Sequence, residues 1–366
     1  MVRLDELIEE CFLRNTEKKF GIDDVMGMTI TKEIIPTKAD VKDTDLSKFL
    51  IVEPEQFVYN PRTHGKKIGL GFNNTQKSFL ISWNNSVFRV KDKKRVCPQY
   101  LYLIFSREEW DRSACFRSWG SSTEVFSWNE FSLMEIPLPS IETQRALVAV
   151  YNGLQKTISD NEALIRQMEE VCHAFVVDCK TKYPKVKLGE WIEEYDVRNS
   201  DNKNKKVRSV SVTKEFKETN AKVNKNELSG YKLVPTGYIA YVQTTKNEKC
   251  FANALNLSPE TCVVTSVDRV ITTKDNGVLA VGYLHLFLRE KEFDRYAIFN
   301  SWGSAREVFS YEELCNVKLP LPPIEIQNSI VSVYACLLES KRIVQETQEL
   351  MKNLCPALVQ KAAHSA

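Results

Sequence analysis

The sequence predicts an α+β chain made of two α/β-mixed domains and two long helices, arranged as one pattern written twice. Three observations carry this. Residues 118–144, "SWGSSTEVFSWNEFSLMEIPLPSIETQ", align without a gap to residues 301–327, "SWGSAREVFSYEELCNVKLPLPPIEIQ", with 15 of 27 identical, at a spacing of 183 in a length of 366. A repeat on this scale governs the fold reading before any other signal. Second, the segments upstream of each copy are rich in β-branched and aromatic residues and broken by Gly, Asn and Pro clusters. Third, the segments downstream carry a heptad pattern.

The first element, "RLDELIEECFLRN" (3–15), recurs as "KLGEWIEEYDVRN" (187–199), so Leu4, Ile8, Glu9, Glu10, Arg14 and Asn15 return as Leu188, Ile192, Glu193, Glu194, Arg198 and Asn199. "TITKEI" (29–34) returns as "SVTKEF" (211–216). The offsets of 184 and 182 imply short insertions in loops. The middles, roughly 35–110 and 217–293, have diverged. "FLISWNNSVFRV" (79–90) and "TCVVTSVDRVITT" (261–273) predict strands. One short helix follows each, over 97–110 and 277–293.

After "PLP" the period changes. In 141–180, Leu147, Tyr151, Leu154, Ile158, Asn161, Ile165, Met168, Cys172, Phe175 and Cys179 recur in steps of 4 and 3, which is the seam of a helix lying along another helix. Asn161 is its one polar member, either fixing register or sitting in solvent. The second copy (324–360) keeps Ile330, Tyr334, Leu337, Val344 and Met351, is polar at Lys341 and Gln348, and is expected to end or kink at Pro356. The residue before a proline avoids helix, and Ser140 and Pro323 suit a helix start, so each PLP is a hinge. About 36 residues at about 1.5 Å each make a rod of about 54 Å. The expected layout is domain 1 over 1–138, helix 1 over 139–183, domain 2 over 184–321 and helix 2 over 322–366. Antiparallel pairing of the helices would place the domains at opposite ends of a pseudo-two-fold dumbbell.

Composition is ordinary for a globular chain, with 43% hydrophobic and 27% charged residues and a net charge of +2. The total hides a surplus of 11 Lys or Arg over 4 Asp or Glu between Lys203 and Lys249, and local surplus sets the field at a polyanion. The ten cysteines include no C-x-x-C and the four histidines do not join them, so no metal site is expected and the thiols read as reduced core residues. "MVRLDELIEECF" carries acids where a secretory signal needs an apolar run, and no apolar run is long enough to span a bilayer. A cytoplasmic chain is expected.

A fixed-length spacer carrying two diverged heads suits a bipartite linear target, and duplex DNA, with about 34–36 Å per turn, is the obvious ruler. The paired phrases "EIPLPSIETQRALVAVYNGL" and "KLPLPPIEIQNSIVSVYACL", each closing a variable domain and opening a long helix, resemble the specificity (S) subunit of type I restriction–modification enzymes over the whole chain. The resemblance implies two target-recognition domains on an antiparallel coiled coil. It implies double-stranded DNA with a bipartite site as ligand, two methyltransferase subunits and restriction subunits as partners, and no catalytic site in this chain. S-adenosylmethionine, ATP and Mg would belong to those partners. Consistent with that, the sequence has no G-x-x-x-x-G-K-[ST] and no adenine-methyltransferase N-P-P-[FY]; "YNPR" (59–62) comes nearest.

For DNA contact, "YNPRTHGKKIGLGFNN" (59–74) offers Asn60, Arg62, Lys66 and Lys67 on a Gly-punctuated loop, residue types that reach phosphates and base edges. Its counterpart "AYVQTTKNEK" (240–249) offers Gln243, Thr244, Lys246 and Lys249, so its half-site should differ. The shared "RSWGSST" and "NSWGSAR" offer Arg117, Ser118, Trp119 and Ser121, and Ser301, Trp302, Ser304 and Arg306, as phosphate contacts common to both heads. The two tryptophans are equally readable as packing residues, and Glu124 to Phe126 with Glu307 to Phe309 as structural. Two rival readings remain: a duplicated coiled-coil adaptor that binds no DNA, and a nuclease, against which no D…E-x-K arrangement stands out.

Overall fold

The computed structural model describes the chain except residues 64–66, 121–123, 220–221, 225, 245–249, 304–306 and 365–366, and the side chains of 353–364. It divides into two compact units, one of Met1–Ser159 with Val344–Ala366 and one of Asp160–Ile343.

The head of the first unit is built on a four-stranded antiparallel sheet in the order Ile8–Cys11, Ser86–Val90, Phe57–Tyr59, Leu70–Phe72. Two further antiparallel pairs join Leu50–Val52 to Phe79–Ile81 and, as a hairpin, Met26–Met28 to Ile34–Pro36. The predicted strand 79–90 is thus two strands that belong to different sheets. The sequence explains this: Ser82 and Asn85 sit between them, with Asn85 donating from both its backbone and side chain to Ser82 O, a turn local polar groups stabilise. The head of the second unit repeats the plan strand for strand: Ile192–Glu194, Arg269–Thr273, Ile239–Tyr241, Asn253–Leu255, then Lys232–Val234 with Cys262–Val264 and Arg208–Val210 with Phe216–Glu218.

Each head has two short helices where one was expected: α1 (Pro98–Phe105) and α2 (Glu108–Phe116) in the first. A third, α3 (Trp128–Ser132), starts on the Ser127 side chain, whose oxygen accepts from Glu130 N. The break between α1 and α2 falls at Ser106-Arg107, where Arg107 is extended at φ −79°, ψ 148°. The second head repeats it as α5 (Val281–Leu288), α6 (Lys291–Phe299) and α7 (Tyr311–Asn316), counting the intervening long helix α4 (Ile141–Lys182). The aromatic content goes into the cores. Phe57 and Phe88 stack at 4.9 Å, Tyr59 and Phe131 at 4.8 Å, and all four are fully buried. Burying each such side chain stabilises by about 1.5–3 kcal/mol.

The PLP phrase has a structural cause. The chain's first strand, Val2–Arg3, pairs with Glu135–Ile136 just before it, and Lys185–Lys187 pairs with Lys318–Pro320 in the second unit. The glutamine that closes the phrase is fully buried in both copies. Gln144 Oε1 accepts from Cys97 N at 2.9 Å while its Nε2 donates to Pro139 O and Arg95 O. Gln327 does the same with Ala280 N, Pro322 O and Val278 O. An apolar residue in that place would leave three backbone groups, at least one of them buried, without their partner. The signature is therefore a staple joining the start of each long helix to the start of α1 or α5.

The long helices are α4 (Ile141–Lys182, 42 residues) and α8 (Ile324–His364, 41 residues), and they pack together. Of the two outcomes expected at Pro356, an end or a kink, the end does not occur: α8 runs without interruption to His364, although the proline removes one backbone donor. Every predicted seam residue of α4 is at least half-buried, Asn161 included. Leu147 and Tyr151 pack on the core of the first head together with buried Val148. Within the second unit, Cys172 and Val176 of α4 share a core with Ile330, Tyr334 and Leu337 of α8. There the helices run antiparallel, since Glu169 meets Lys341 at 2.8 Å while Cys172, one turn later, lies beside Tyr334, two turns earlier. Where the α8 seam turns polar, buried Ser340 and Thr347 replace Lys341 and Gln348, and Val344 and Met351 stay half-buried.

Candidate nucleic-acid interface

In each head the loop that joins an inner strand to the edge strand beside it, Phe57–Tyr59 to Leu70–Phe72 and Ile239–Tyr241 to Asn253–Leu255, runs out of the sheet and is gripped at both ends. In the first head it follows Tyr59. Asn60 Oδ1 accepts from Arg62 N at 3.0 Å, an Asx turn that directs the chain outward. Pro61 O then accepts from Phe126 N at 2.7 Å, and Thr63 N donates to Glu124 O. In the second head Gln243 O accepts from Phe309 N at 2.8 Å. Structure therefore matches Pro61 to Gln243 and Arg62 to Thr244.

These contacts make a small backbone ladder. Trp119 and Val125 exchange both hydrogen bonds, at 3.1 and 3.0 Å, and Val125 bridges Arg62 on its other side. Trp302, Val308 and Thr244 repeat the arrangement at the same distances. Directly opposed residues in antiparallel pairs turn their side chains to one face. Arg62, Val125 and Trp119 thus form one row, and all three are exposed. Gly120 and Gly303 follow the tryptophans at φ 151° and 138°, a backbone region that favours glycine, which explains why "WG" stands in both copies. The buried members of the duplicated "EVF" are Phe126 and Phe309, each fully enclosed, as the structural reading expects.

The far end of the loop is held by a buried ion pair. Lys32 Nζ donates to Asp111 Oδ1 at 2.5 Å and to Ile68 O at 2.6 Å, and the same Asp111 oxygen accepts from Ile68 N at 3.2 Å. Lys214 pairs with Asp294 at 2.6 Å, and Asp294 accepts from Phe251 N at 2.9 Å. Burial pushes the amines of Lys32 and Lys214 below the usual lysine range, and the partnering aspartate opposes that shift. Lys32 and Lys214 are the duplicated lysines of "TKE", both at positive φ, 69° and 62°. The aspartates were missed. Their signal was present in the sequence as "DRSACFRSWG" against "DRYAIFNSWG", two helical turns outside the stretch that aligns best.

The predicted contact residues separate as follows. Arg62, Lys67, Thr244, Trp119 and Trp302 are exposed, the tryptophans at 73% and 68%, which rules out the packing alternative for them. Asn60 and Gln243 are half-buried, Gln243 Nε2 donating to Val267 O. Arg117 pairs with Glu130 at 3.5 Å. Ser118 Oγ donates to Ala114 O and Ser301 Oγ to Ala297 O, so each spends its one proton closing the end of α2 or α6. Lys66, Ser121, Lys246, Lys249, Ser304 and Arg306 lie outside the described residues. Phe116 and Phe299, at 86% and 81% exposed, were not singled out from the sequence; they recur at the same 183 spacing.

Among the described residues no group of acidic, histidine and cysteine side chains is disposed to hold a metal, and no helix is long and apolar enough to cross a membrane.

No protein-family model matches the chain, and no curated protein matches it in sequence. Solved structures do. The crystal structure of the type I restriction–modification system S subunit from M. genitalium superposes with a TM-score of 0.60 at 10% identity, covering 99% of this chain and 95% of that one. The HsdS subunit from Thermoanaerobacter tengcongensis matches at 0.43 and 17% identity, over 99% and 95%. A structure describing complex assembly and conformational transition of the type I R-M system matches at 0.45 and 16%, over 99% and 96%. Fold is assigned on the first of these. The chain has the fold of a type I restriction–modification S subunit.

Proposed function

We propose that this chain is the DNA-recognition subunit of a type I restriction–modification enzyme. Each head reads one half of a bipartite duplex site, and the chain itself performs no catalysis. Methyl transfer from S-adenosylmethionine, and ATP- and Mg-dependent translocation and cleavage, fall to methyltransferase and restriction subunits that it positions. The observation that carries the reading is the pair of heads with one frame and two loops. The same strands, the same buried Lys–Asp pair and the same Trp–Val ladder frame Pro61, Arg62 and Thr63 in one head and Gln243 and Thr244, of different chemistry, in the other. A shared frame with diverged reading loops suits two different half-sites, and exposed Arg and Lys beside an aromatic row suit base edges and phosphates.

The experiment is to express the chain with methyltransferase partners in a host lacking such a system and to map methylated adenines across the genome. One bipartite motif is expected. Replacing residues 35–110 by the corresponding part of another head should change one half of the motif and leave the other. Both halves changing together, or no motif, refutes the reading. A binding curve with little salt dependence would favour the adaptor alternative, since neutralising phosphates gives a steep slope.

A further inference from the structure

Among the described residues the most exposed large hydrophobic side chain of each head is a phenylalanine, and the two occupy equivalent places. Phe116 and Trp119 in the first head are 86% and 73% exposed; Phe299 and Trp302 in the second are 81% and 68%. Single exposed apolar residues need no explanation. A pair repeated at the same two positions of two otherwise diverged heads does, because each ring left in water forgoes the stabilisation that burial would give.

An arginine completes each set. Arg112 precedes Phe116, and Arg295 precedes Phe299, by four residues on α2 and α6, so each Arg–Phe couple shares one helix face; both arginines are exposed. The tryptophan follows three residues after the phenylalanine and stands in the row with Val125 and Arg62, or with Val308 and Thr244. Adjacent strands lie about 4.8 Å apart, so Trp119 and Arg62, on either side of Val125, are about 10 Å apart. That is less than the roughly 12 Å width of the major groove. A duplex lying on the loop residue therefore lies on the tryptophan as well.

The two kinds of residue differ in what they keep. Across the heads the loop position changes from Arg62 to Thr244, while Arg, Phe and Trp do not change. Groups that read bases must differ when the half-sites differ. Groups that hold the sugar–phosphate backbone need not, since every duplex presents the same backbone.

We propose that Arg112, Phe116 and Trp119, and Arg295, Phe299 and Trp302, form a sequence-independent backbone clamp in each head, the guanidinium on a phosphate and the rings against deoxyribose faces. This rests on the heads being DNA-binding. It assigns a division of labour within them: the clamp supplies affinity and register, the diverged loops supply preference.

The test uses the full chain assembled with its methyltransferase subunits, a duplex carrying the mapped motif and a scrambled duplex of equal length. Wild type is compared with Phe116→Ala/Trp119→Ala and with Arg112→Ala by fluorescence anisotropy over a salt series. All three side chains are exposed, and thermal melting checks that each variant folds as wild type does. The aromatic double variant loses the burial of two rings and is expected to weaken binding to both duplexes by a common factor, at least about tenfold, with the ratio between them unchanged. Arg112→Ala should lower the salt slope by about one. Collapse of the ratio would make these residues base readers and overturn the proposal. Unchanged DNA affinity with loss of methyltransferase co-purification would make them a subunit contact and overturn it equally. A wild-type assembly with no preference for any duplex would instead remove the recognition reading on which the clamp rests.

Discussion

The buried pair Lys32–Asp111 should show a large difference between breaking one partner and replacing both. Lys32 is 4% exposed at its side chain and Asp111 8%, 2.5 Å apart. Lys32→Met leaves a carboxylate in that pocket with, among the described residues, only Ile68 N donating to it. Removing one member of a buried pair costs about 3–5 kcal/mol, because the other charge is left uncompensated. Lys32→Met with Asp111→Leu removes both charges and leaves Ile68 N and O without their side-chain partners, at about 1–3 kcal/mol each, and Ile68 O is orphaned in Lys32→Met as well. The double variant should therefore be more stable than Lys32→Met alone, by about 1–3 kcal/mol. The assay is urea unfolding followed by intrinsic fluorescence, with each resolved transition fitted separately because the chain has two units. Loop function gives the second readout: both variants should weaken reading of one half-site, and the Lys214–Asp294 counterparts should weaken the other. A double variant at least as unstable as the sum of its singles would refute the view that uncompensated charge dominates. Unchanged half-site preference in a folded variant would refute the anchoring role.

Other expectations follow from the same geometry. His285 is buried with neither ring nitrogen hydrogen-bonded among the described residues; burial, reinforced by Arg289 and Lys214, pushes it down to about 3. The unfolded chain then binds a proton that the folded one refuses, so stability is full above pH 6.5 and falls below it, by roughly 2 kcal/mol at pH 5. His285→Tyr, which installs the residue of the equivalent position Tyr102, should flatten that decline in urea titrations. Burial raises the thiols of Cys172 and Cys262 to about 11; above pH 9 only the unfolded chain ionises, so stability should fall from pH 9 to 11, less so in Cys262→Val, and native-state thiol labelling at these positions should be slow. Gln144→Leu should destabilise the first unit by about 1–3 kcal/mol for each of Cys97 N, Arg95 O and Pro139 O that water does not reach, with Gln327→Leu acting likewise in the second. Inserting one heptad into both long helices should lengthen the unread gap of the methylated motif and leave its halves intact; altered halves would show that the spacer and the readers are not separable.

Duplication was legible in the sequence because a repeat needs no structure to be seen: identical residues at one spacing identify equivalent places whatever those places are. The heptad seams were legible because burial of a helix face imposes a period on the chain. The order of strands in the sheets, the split of each short helix into two, and the passage of α8 through Pro356 were not, since they depend on contacts between residues far apart in sequence. The same divide runs through the site. "WG" and "TKE" stood out as repeated words, yet their work differs: Trp119 is in solvent, whereas Lys32 is enclosed against an aspartate 79 positions away. Sequence determined that two like domains and two long helices exist and which residues recur in both. Only tertiary structure decided which recurring residues are staples and which face outward, because exposure is a property of what packs on a residue, and the packing partner is supplied by another part of the chain.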